Sequence, residues 1–169
     1  MEFSLRRLGG VQQIAARLLR VFCLMLPILA GLPACGLFGS SPPEIDTETV
    51  DIQILPRANH DAAVAIDLVY VFNPQLLTQL QSIGAKDWFR QRDELRALYP
   101  TDLAVSSYEL VPGQLGPIEK VTKHNSDAIG LFAFANYQDE GAHRARLDRF
   151  EHVVVRLDES DLVVVKRAG

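Results

Sequence analysis

The segment Ala128-Ile-Gly-Leu-Phe-Ala-Phe-Ala-Asn-Tyr137 decides the fold, because it is the most apolar stretch that follows the first 34 residues of this 169-residue chain. Polar residues bound it, with the loop 123–127 before it and Gln138 after it. An uninterrupted apolar run of this kind is typical of a strand that is covered on both faces. We therefore predict a central strand over residues 128–137.

Six further segments with strand character surround this one in the sequence. They span residues 47–55, 63–72, 103–111, 116–122, 151–157 and 162–166. In the first of them Val50, Ile52 and Ile54 alternate with polar residues, and the last two segments flank a polar turn as in a hairpin. The charged segment 138–147 lacks such a pattern and is predicted to be irregular. Seven strands with closely spaced turn signals indicate a mainly β fold, an antiparallel β-sandwich.

Two helices are predicted as an insertion between strands, over about residues 74–99. Asn73 and Pro74 form a helix start, since asparagine caps the first turn and proline suits the first helical position. Gly84 ends this helix, and Pro100 ends a second one that begins near residue 86. The apolar side of the second helix is expected to pack in the core; it consists of Trp88, Leu95, Leu98 and Tyr99. An interface role for Trp88 and Phe89 is the alternative.

The first 34 residues have the layout of a secretory signal. The apolar run 21–31 follows four arginines and is closed by Leu32-Pro33-Ala34-Cys35. This ending resembles the bacterial lipoprotein signal, the lipobox, which implies cleavage before Cys35 and a covalent acyl lipid on that residue. Gly36 stands where retention in the inner membrane usually involves aspartate, so the resemblance implies an outer-membrane location.

Two alternatives for this segment are open. A transmembrane helix needs enough apolar length to cross about 30 Å of hydrocarbon, and Pro27, Gly31 and Pro33 interrupt the run. An ordinary signal cleaved after Ala34 would leave a periplasmic protein without lipid. Such a site prefers a small residue where Leu32 stands.

On the lipoprotein interpretation the chain comprises a signal peptide at 1–34, a flexible tether at 35–46 and one domain at 47–169. The whole chain has 17 basic and 21 acidic residues, and the part after the signal has 13 and 20, a net charge of −7. This acidic balance argues against binding to nucleic acid and against charge-driven adhesion to anionic lipid. Cys35 is the only cysteine after the signal, so no intramolecular disulfide is expected.

No catalytic residue and no metal ligand is predicted. The sequence lacks the nucleophile motifs of common hydrolases and a glycine-rich phosphate loop. The histidines have no partner at metal-ligand spacing; they are His60, His124, His143 and His152. Three arginines are expected on a solvated loop, with an anionic ligand as the alternative; they are Arg144, Arg146 and Arg149. We expect a protein that is not an enzyme and has no cofactor other than the acyl lipid on Cys35.

Four segments, in this order, resemble the TssJ family, the outer-membrane lipoproteins of the type VI secretion system. The first is the valine-rich Val64-Ala-Ile-Asp-Leu-Val-Tyr-Val-Phe72. The second is Ala85-Lys-Asp-Trp-Phe89 with Leu98-Tyr99, and the third is Glu109-Leu-Val-Pro-Gly113. The fourth is Ile129-Gly-Leu-Phe-Ala133, followed by Tyr137, Asp139 and Arg144. Together they cover roughly 100 residues and follow a lipobox and a tether, which is the layout of the family.

The resemblance implies a transthyretin-like β-sandwich with a helical insertion, anchored at the periplasmic face of the outer membrane. It also implies a partner, the periplasmic domain of the inner-membrane protein TssM, and several copies arranged in a ring. The family contacts TssM through the loop between the first two strands, which is shorter here and has Asn59-His60 where the family often has Asn-Pro. The corresponding residues are Pro56, Arg57, Ala58, Asn59, His60 and Asp61.

A different class of function is the alternative to this docking role. A periplasmic lipoprotein that serves as a binding module, or a pilotin-like chaperone, can be built on a similar sandwich. Such a protein is expected to have a concave apolar pocket rather than a protruding polar loop.

Overall fold

Two four-stranded sheets pack face to face in a computed structural model that describes residues 43–166. The first sheet has the order β4-β1-β7-β8 and the second has the order β3-β2-β5-β6. The strands are β1 (Thr49–Ile54), β2 (Val64–Val71), β3 (Leu103–Leu110), β4 (Ile118–Lys120), β5 (Gly130–Asn136), β6 (Arg144–Arg146), β7 (His152–Leu157) and β8 (Leu162–Lys166). This confirms the predicted β-sandwich. The predictions for the signal peptide, for Cys35 and for most of the tether lie outside the described residues.

The number and direction of the strands correct two details of the prediction. Strand β6 lies in the segment expected to be irregular, and it pairs with β5, with Phe132 opposite Arg146. Its three residues are too few and too polar to give an apolar pattern, but their backbone still completes the sheet edge. In addition, β1 pairs with β7 in parallel, with Val50 opposite Val153, so the sandwich is not wholly antiparallel. Strand β4 already lies beside β1 in the antiparallel direction, and β7 joins the other side of β1 only after β5 and β6 have completed the second sheet.

Strand β5 is buried on both faces, as its apolar run predicted. Leu131 and Ala133 face the core between the two sheets, where they meet residues such as Ile52 of β1. Phe132 and Phe134 face the opposite way, into a second core beneath the helices. Because each fully buried side chain of this kind contributes about 1.5–3 kcal/mol, this strand stabilises both cores at once.

The helical insertion consists of α1 (Pro74–Leu80) and α2 (Ala85–Leu98), and it covers the outer face of β2 and β5. Asn73 Oδ1 accepts hydrogen bonds from the backbone N–H groups of Gln75 at 2.9 Å and Leu76 at 3.2 Å, which is the predicted cap. Trp88 is fully buried and stacks on Phe134 with ring centroids 5.2 Å apart. The core role predicted for Trp88 is confirmed.

The prediction that Leu98 packs in the core is wrong, since its side chain is 63% exposed while that of Leu95 is 5% exposed. Leu98 is the last residue of α2 and lies about 60° around the helix axis from Leu95. The apolar face of the helix therefore turns away from the sheet before the helix ends. None of the described helices is long and apolar enough to cross a membrane.

The sandwich has two distinct ends, which we name by what they carry. At the tether end the chain joins the fold, since Ile45 N–H bonds to Ala128 O and Asp46 N–H bonds to Asp148 O, both at 2.9 Å. Ile45 is buried, so residues predicted as flexible tether already belong to the fold. The loop end lies at the other end of β1, about 20 Å away over six residues. It carries the loops 55–63, 111–117, 137–143 and 158–161.

Candidate interaction surface at the loop end

The loop predicted to bind a partner lies at the loop end, between β1 and β2, and has an unusual backbone. Arg57, Asn59, His60 and Asp61 have φ angles of 70°, 49°, 55° and 68°, in the left-handed region. Asparagine, aspartate and histidine enter this region more readily than other non-glycine residues. Such a run persists only where surrounding contacts hold it.

Asn59 supplies those contacts from inside the loop. Its side chain is buried, its Nδ2 donates to Ala63 O at 3.0 Å, and its Oδ1 accepts from the backbone N–H of Gln138 at 2.7 Å. Ala58 is fully buried as well. Two of the six residues predicted to contact a partner therefore face the interior and shape the loop. The exposed members are Pro56, Arg57, His60 and Asp61.

The exposed side chains of this loop join it to its two neighbours. Arg57 Nη2 lies 2.6 Å from Glu159 Oε1 in the turn between β7 and β8. His60 Nε2 lies 2.8 Å from Asp139 Oδ2 in the loop between β5 and β6. Each exposed pair contributes at most about 1 kcal/mol, so their main effect is to align three loops into one surface.

Tyr137 and His143 hold the neighbouring loops from beneath. The Tyr137 hydroxyl donates to the carbonyl oxygens of Asp158 at 3.0 Å and Asp161 at 2.9 Å. Burial, and after it the charge of Asp161, raises the pKa of Tyr137, so the phenol keeps the proton that it donates. The ring of His143 is buried against Tyr137, with Nδ1 3.0 Å from Asp161 Oδ1 and Nε2 2.9 Å from Asp139 O. No local pattern indicates these contacts, because Tyr137 and His143 are 18 or more residues from their partners in the turn 158–161.

Acidic side chains predominate on these loops. The acids are Asp61, Asp139, Glu140, Asp158, Glu159 and Asp161. The bases beside them are paired, since Lys86 lies 2.6 Å from Glu140 and Arg156 lies 3.2 Å from Asp158. The hydrogen bond and charge of Lys86 lower the pKa of Glu140, which stays ionised at neutral pH. A partner at this end meets a negatively charged surface.

Two of the three arginines expected on a solvated loop are structural, which corrects that prediction. Arg144 Nη1 donates to Leu80 O at 3.3 Å and Ile83 O at 2.5 Å, so it satisfies carbonyls at the end of α1, whose last turn has no basic residue. Arg146 Nε bonds to the buried Asp148 at 2.5 Å. Only Arg149 is largely exposed, at 66%.

The histidines do not come together in one cluster within residues 43–166. His60 and His143 lie at the loop end, whereas His124 stacks on Phe72 at the tether end. One group of potential metal ligands, Glu48, Glu151 and His152, comes within 4.8 Å at the tether end, on the solvent-accessible surface.

Two concave regions of the described chain differ from the apolar pocket that a binding module would need. One of about 390 Å³ lies at the tether end and is lined mostly by polar side chains, including Thr47, Glu48, Lys120 and Lys123. Another of about 160 Å³ lies beside β6, where Arg144 and Arg146 line it. Ligand sites are more often apolar with a few polar groups.

Comparisons with known proteins show which solved structures share this fold. No protein-family model and no curated protein matches the chain. Several solved structures do match it, and three of them are described here. The type VI secretion lipoprotein TssJ1 from Pseudomonas aeruginosa has a TM-score of 0.56 and 18% identity, over 75% of this chain and 99% of that one. Serratia marcescens Lip, a membrane-bound component of the type VI secretion system, has a TM-score of 0.51 and 16% identity, over 71% and 96%. A chain of a type VI membrane complex has a TM-score of 0.53 and 15% identity, over 70% and 98%.

These similarities confirm the fold that the TssJ resemblance implied. The chain spans almost the full length of each matched structure, so the shared part is a whole domain. None of the three is described as an enzyme. The fold agrees with the β-sandwich and helical insertion expected from the sequence.

Proposed function

We propose that this chain is an outer-membrane lipoprotein of a type VI secretion membrane complex, and that its loop end docks the periplasmic domain of a TssM-like inner-membrane protein. The observation that carries the proposal is that the chain enters the domain at one end of the sandwich and presents the loop 56–61 at the other end. The chain enters at Ile45, and the loop 56–61 lies at the other end of β1. A protein anchored through its first residues therefore presents this loop away from the membrane.

The anchor is an acyl lipid on Cys35. Each buried CH₂ contributes about 0.8 kcal/mol, so two or three acyl chains bind a bilayer firmly where a single chain does so only marginally. Cys35 precedes Ile45 by ten residues, which reach at most about 35 Å when extended. That length allows the domain to stand clear of the bilayer while the loop end points into the periplasm.

The loop suits docking because it is already ordered. Asn59 and Ala58 fix it from inside, while Arg57 and His60 tie it to Glu159 and Asp139. Binding then costs little conformational entropy, which improves affinity without further contacts. Several copies in a ring would add avidity, because each contact after the first is intramolecular.

The test is a binding measurement between the full chain in detergent and the periplasmic domain of the TssM-like protein from the same genome. Arg57→Glu is compared with Arg149→Glu, since their side chains are exposed to similar extents, 69% and 66%, at opposite ends of the sandwich. We expect a loss of about tenfold or more from the first change, because it breaks the pairing with Glu159 that aligns the loops, and none from the second. Equal affinities for both variants, or no binding by the unmodified chain, would refute the proposal.

A further inference from the structure

The strand order places the four loops of the loop end in a fixed row. Strands β3 and β4 are the edges on one side of the two sheets, where Ser106 and Tyr108 donate hydrogen bonds to Glu119 across the gap. Strands β6 and β8 are the edges on the other side and lie beside each other. The loop 111–117 therefore lies on one flank, the loop 55–63 in the middle, and the loops 137–143 and 158–161 on the opposite flank.

The first flank is apolar, and we name residues 111–118 the apolar flank. Leu115 is 98% exposed, Val111 57% and Ile118 60%. They are three of the six large hydrophobic side chains that are exposed among the described residues. A group of this kind on a small surface indicates a contact site more than isolated exposed residues do.

The backbone beneath Leu115 is tightly held. A Cβ on Gly116 would lie 1.7 Å from Ile52 O, so only glycine allows the chain to pass so close to β1. Pro117 O accepts a hydrogen bond from Ile52 N at 3.0 Å, and Gly113 turns the chain with a φ of 81°. The leucine is consequently fixed in an outward position by its flanking residues.

The opposite flank is acidic, and we name residues 139–140 and 158–161 the acidic flank. It carries Asp139, Glu140, Asp158, Glu159 and Asp161. Lys86 and Arg156 each neutralise one of these acids, and Arg57 pairs with Glu159 from the middle loop. The flank keeps an excess of negative charge, which attracts basic residues and raises association rates.

We propose that the loop end is a two-part docking surface on which Leu115 enters an apolar socket of the partner while the acidic flank meets basic side chains beside that socket. The two unlike flanks then fix the orientation of the partner about the middle loop. This inference deepens the proposed function and rests on it. The partner is a protein face that has an apolar socket next to a basic strip.

The test of the apolar flank compares Leu115→Ser with Leu98→Ser. Leu98 is also an exposed leucine, at 63%, but it lies at the tether end. Binding of each full chain in detergent to the periplasmic domain of the TssM-like protein is measured at low and at high salt. Leu115→Ser is expected to weaken binding by about tenfold or more at both salt concentrations, and Leu98→Ser is expected to leave it unchanged.

The test of the acidic flank compares Glu140→Lys with Glu151→Lys. Both changes reverse the charge of a highly exposed side chain: Glu140 is 87% exposed at the loop end, and Glu151 is 71% exposed at the tether end. Glu140→Lys is expected to slow association about threefold or more at low salt, with a smaller effect at high salt. Glu151→Lys is expected to have no comparable effect.

The outcomes separate this inference from the proposed function. If the unmodified chain binds but Leu115→Ser binds equally well, the two-part surface is wrong while the docking role stands. If the unmodified chain does not bind, the docking role itself is wrong. Sedimentation of the full chain provides a further check: self-association that Leu115→Ser abolishes would assign the apolar flank to a second copy of this chain and overturn the proposal.

Discussion

Trp88 Nε1 donates a hydrogen bond to Asp67 Oδ2 at 2.8 Å, and this buried contact fastens the helical insertion to the sheet. Arg92 Nη1 reaches the same oxygen at 3.1 Å. Asp67 is thus the acid within β2 that gives both helix residues a partner, in a core that otherwise consists of apolar side chains.

Replacing Asp67 is expected to weaken the fold strongly. Asp67→Ala leaves the Trp88 N–H buried without an acceptor and Arg92 without its buried partner, so we expect a loss of about 3 kcal/mol in the free energy of unfolding. Urea denaturation measures it. Asp93→Ala removes an acid that is 90% exposed on the same helix, and we expect it to change the free energy by less than about 0.5 kcal/mol. Equal effects of the two changes would show that the buried contact is energetically unimportant.

The conformation of the loop 56–61 is expected to depend on Asn59. Asn59→Gly tolerates the left-handed backbone but removes the side-chain bonds to Ala63 and Gln138. We expect faster amide hydrogen exchange in this loop and a weaker docking interaction. Asn136→Gly, at an exposed position at the end of β5, serves as the control. Unchanged exchange in the Asn59 variant would mean that other contacts hold the loop.

Alkaline pH is expected to destabilise the domain through Tyr108. Burial, and after it the hydrogen bond and charge of Glu119, raise the pKa of Tyr108 to about 12. Because the folded state holds this proton more tightly than the unfolded state, the stabilisation is complete below pH 10 and is lost as the pH rises from about 10 to 12. Thermal unfolding between pH 8 and 12 should show a smaller decline in Tm for Tyr108→Phe than for the unmodified chain. An identical decline would contradict the assignment.

If the proposed lipid anchor is correct, membrane attachment and folding of the domain are separable. Cys35→Ser removes the acyl acceptor, so we expect the protein to leave the outer-membrane fraction while the sandwich keeps its circular dichroism spectrum. Membrane fractionation followed by immunoblotting measures the change. Persistent co-fractionation of the variant with outer membranes would refute lipid anchoring at Cys35.

Features encoded by local pattern were predictable from the sequence, whereas contacts between distant segments were not. The apolar run of β5 and the cap at Asn73 depend on adjacent residues, and both are confirmed. The parallel pairing of β1 with β7 depends on the path of the chain, which alternation along a strand does not reveal. Likewise, Arg144 is 61 residues from Ile83, so its role at the end of α1 has no local signature.

The same distinction applies to the candidate surface. The family resemblance indicated the loop 56–61, but it did not indicate the burial of Ala58 and Asn59. The side chain of Asn59 is held by Gln138 from another strand connection. The exposure of Leu115 was also missed. Proline and glycine around it indicate a turn, but which side chain points outward depends on the close approach of Gly116 to Ile52.

The most direct test of the central claim is photocrosslinking in cells, with a photoreactive amino acid placed at position 60 or at position 151. The residues at these positions are exposed at opposite ends of the sandwich, His60 at 48% and Glu151 at 71%. We expect a crosslink to the TssM-like protein from position 60 and none from position 151. A crosslink from position 151 alone would place the partner at the tether end and contradict it.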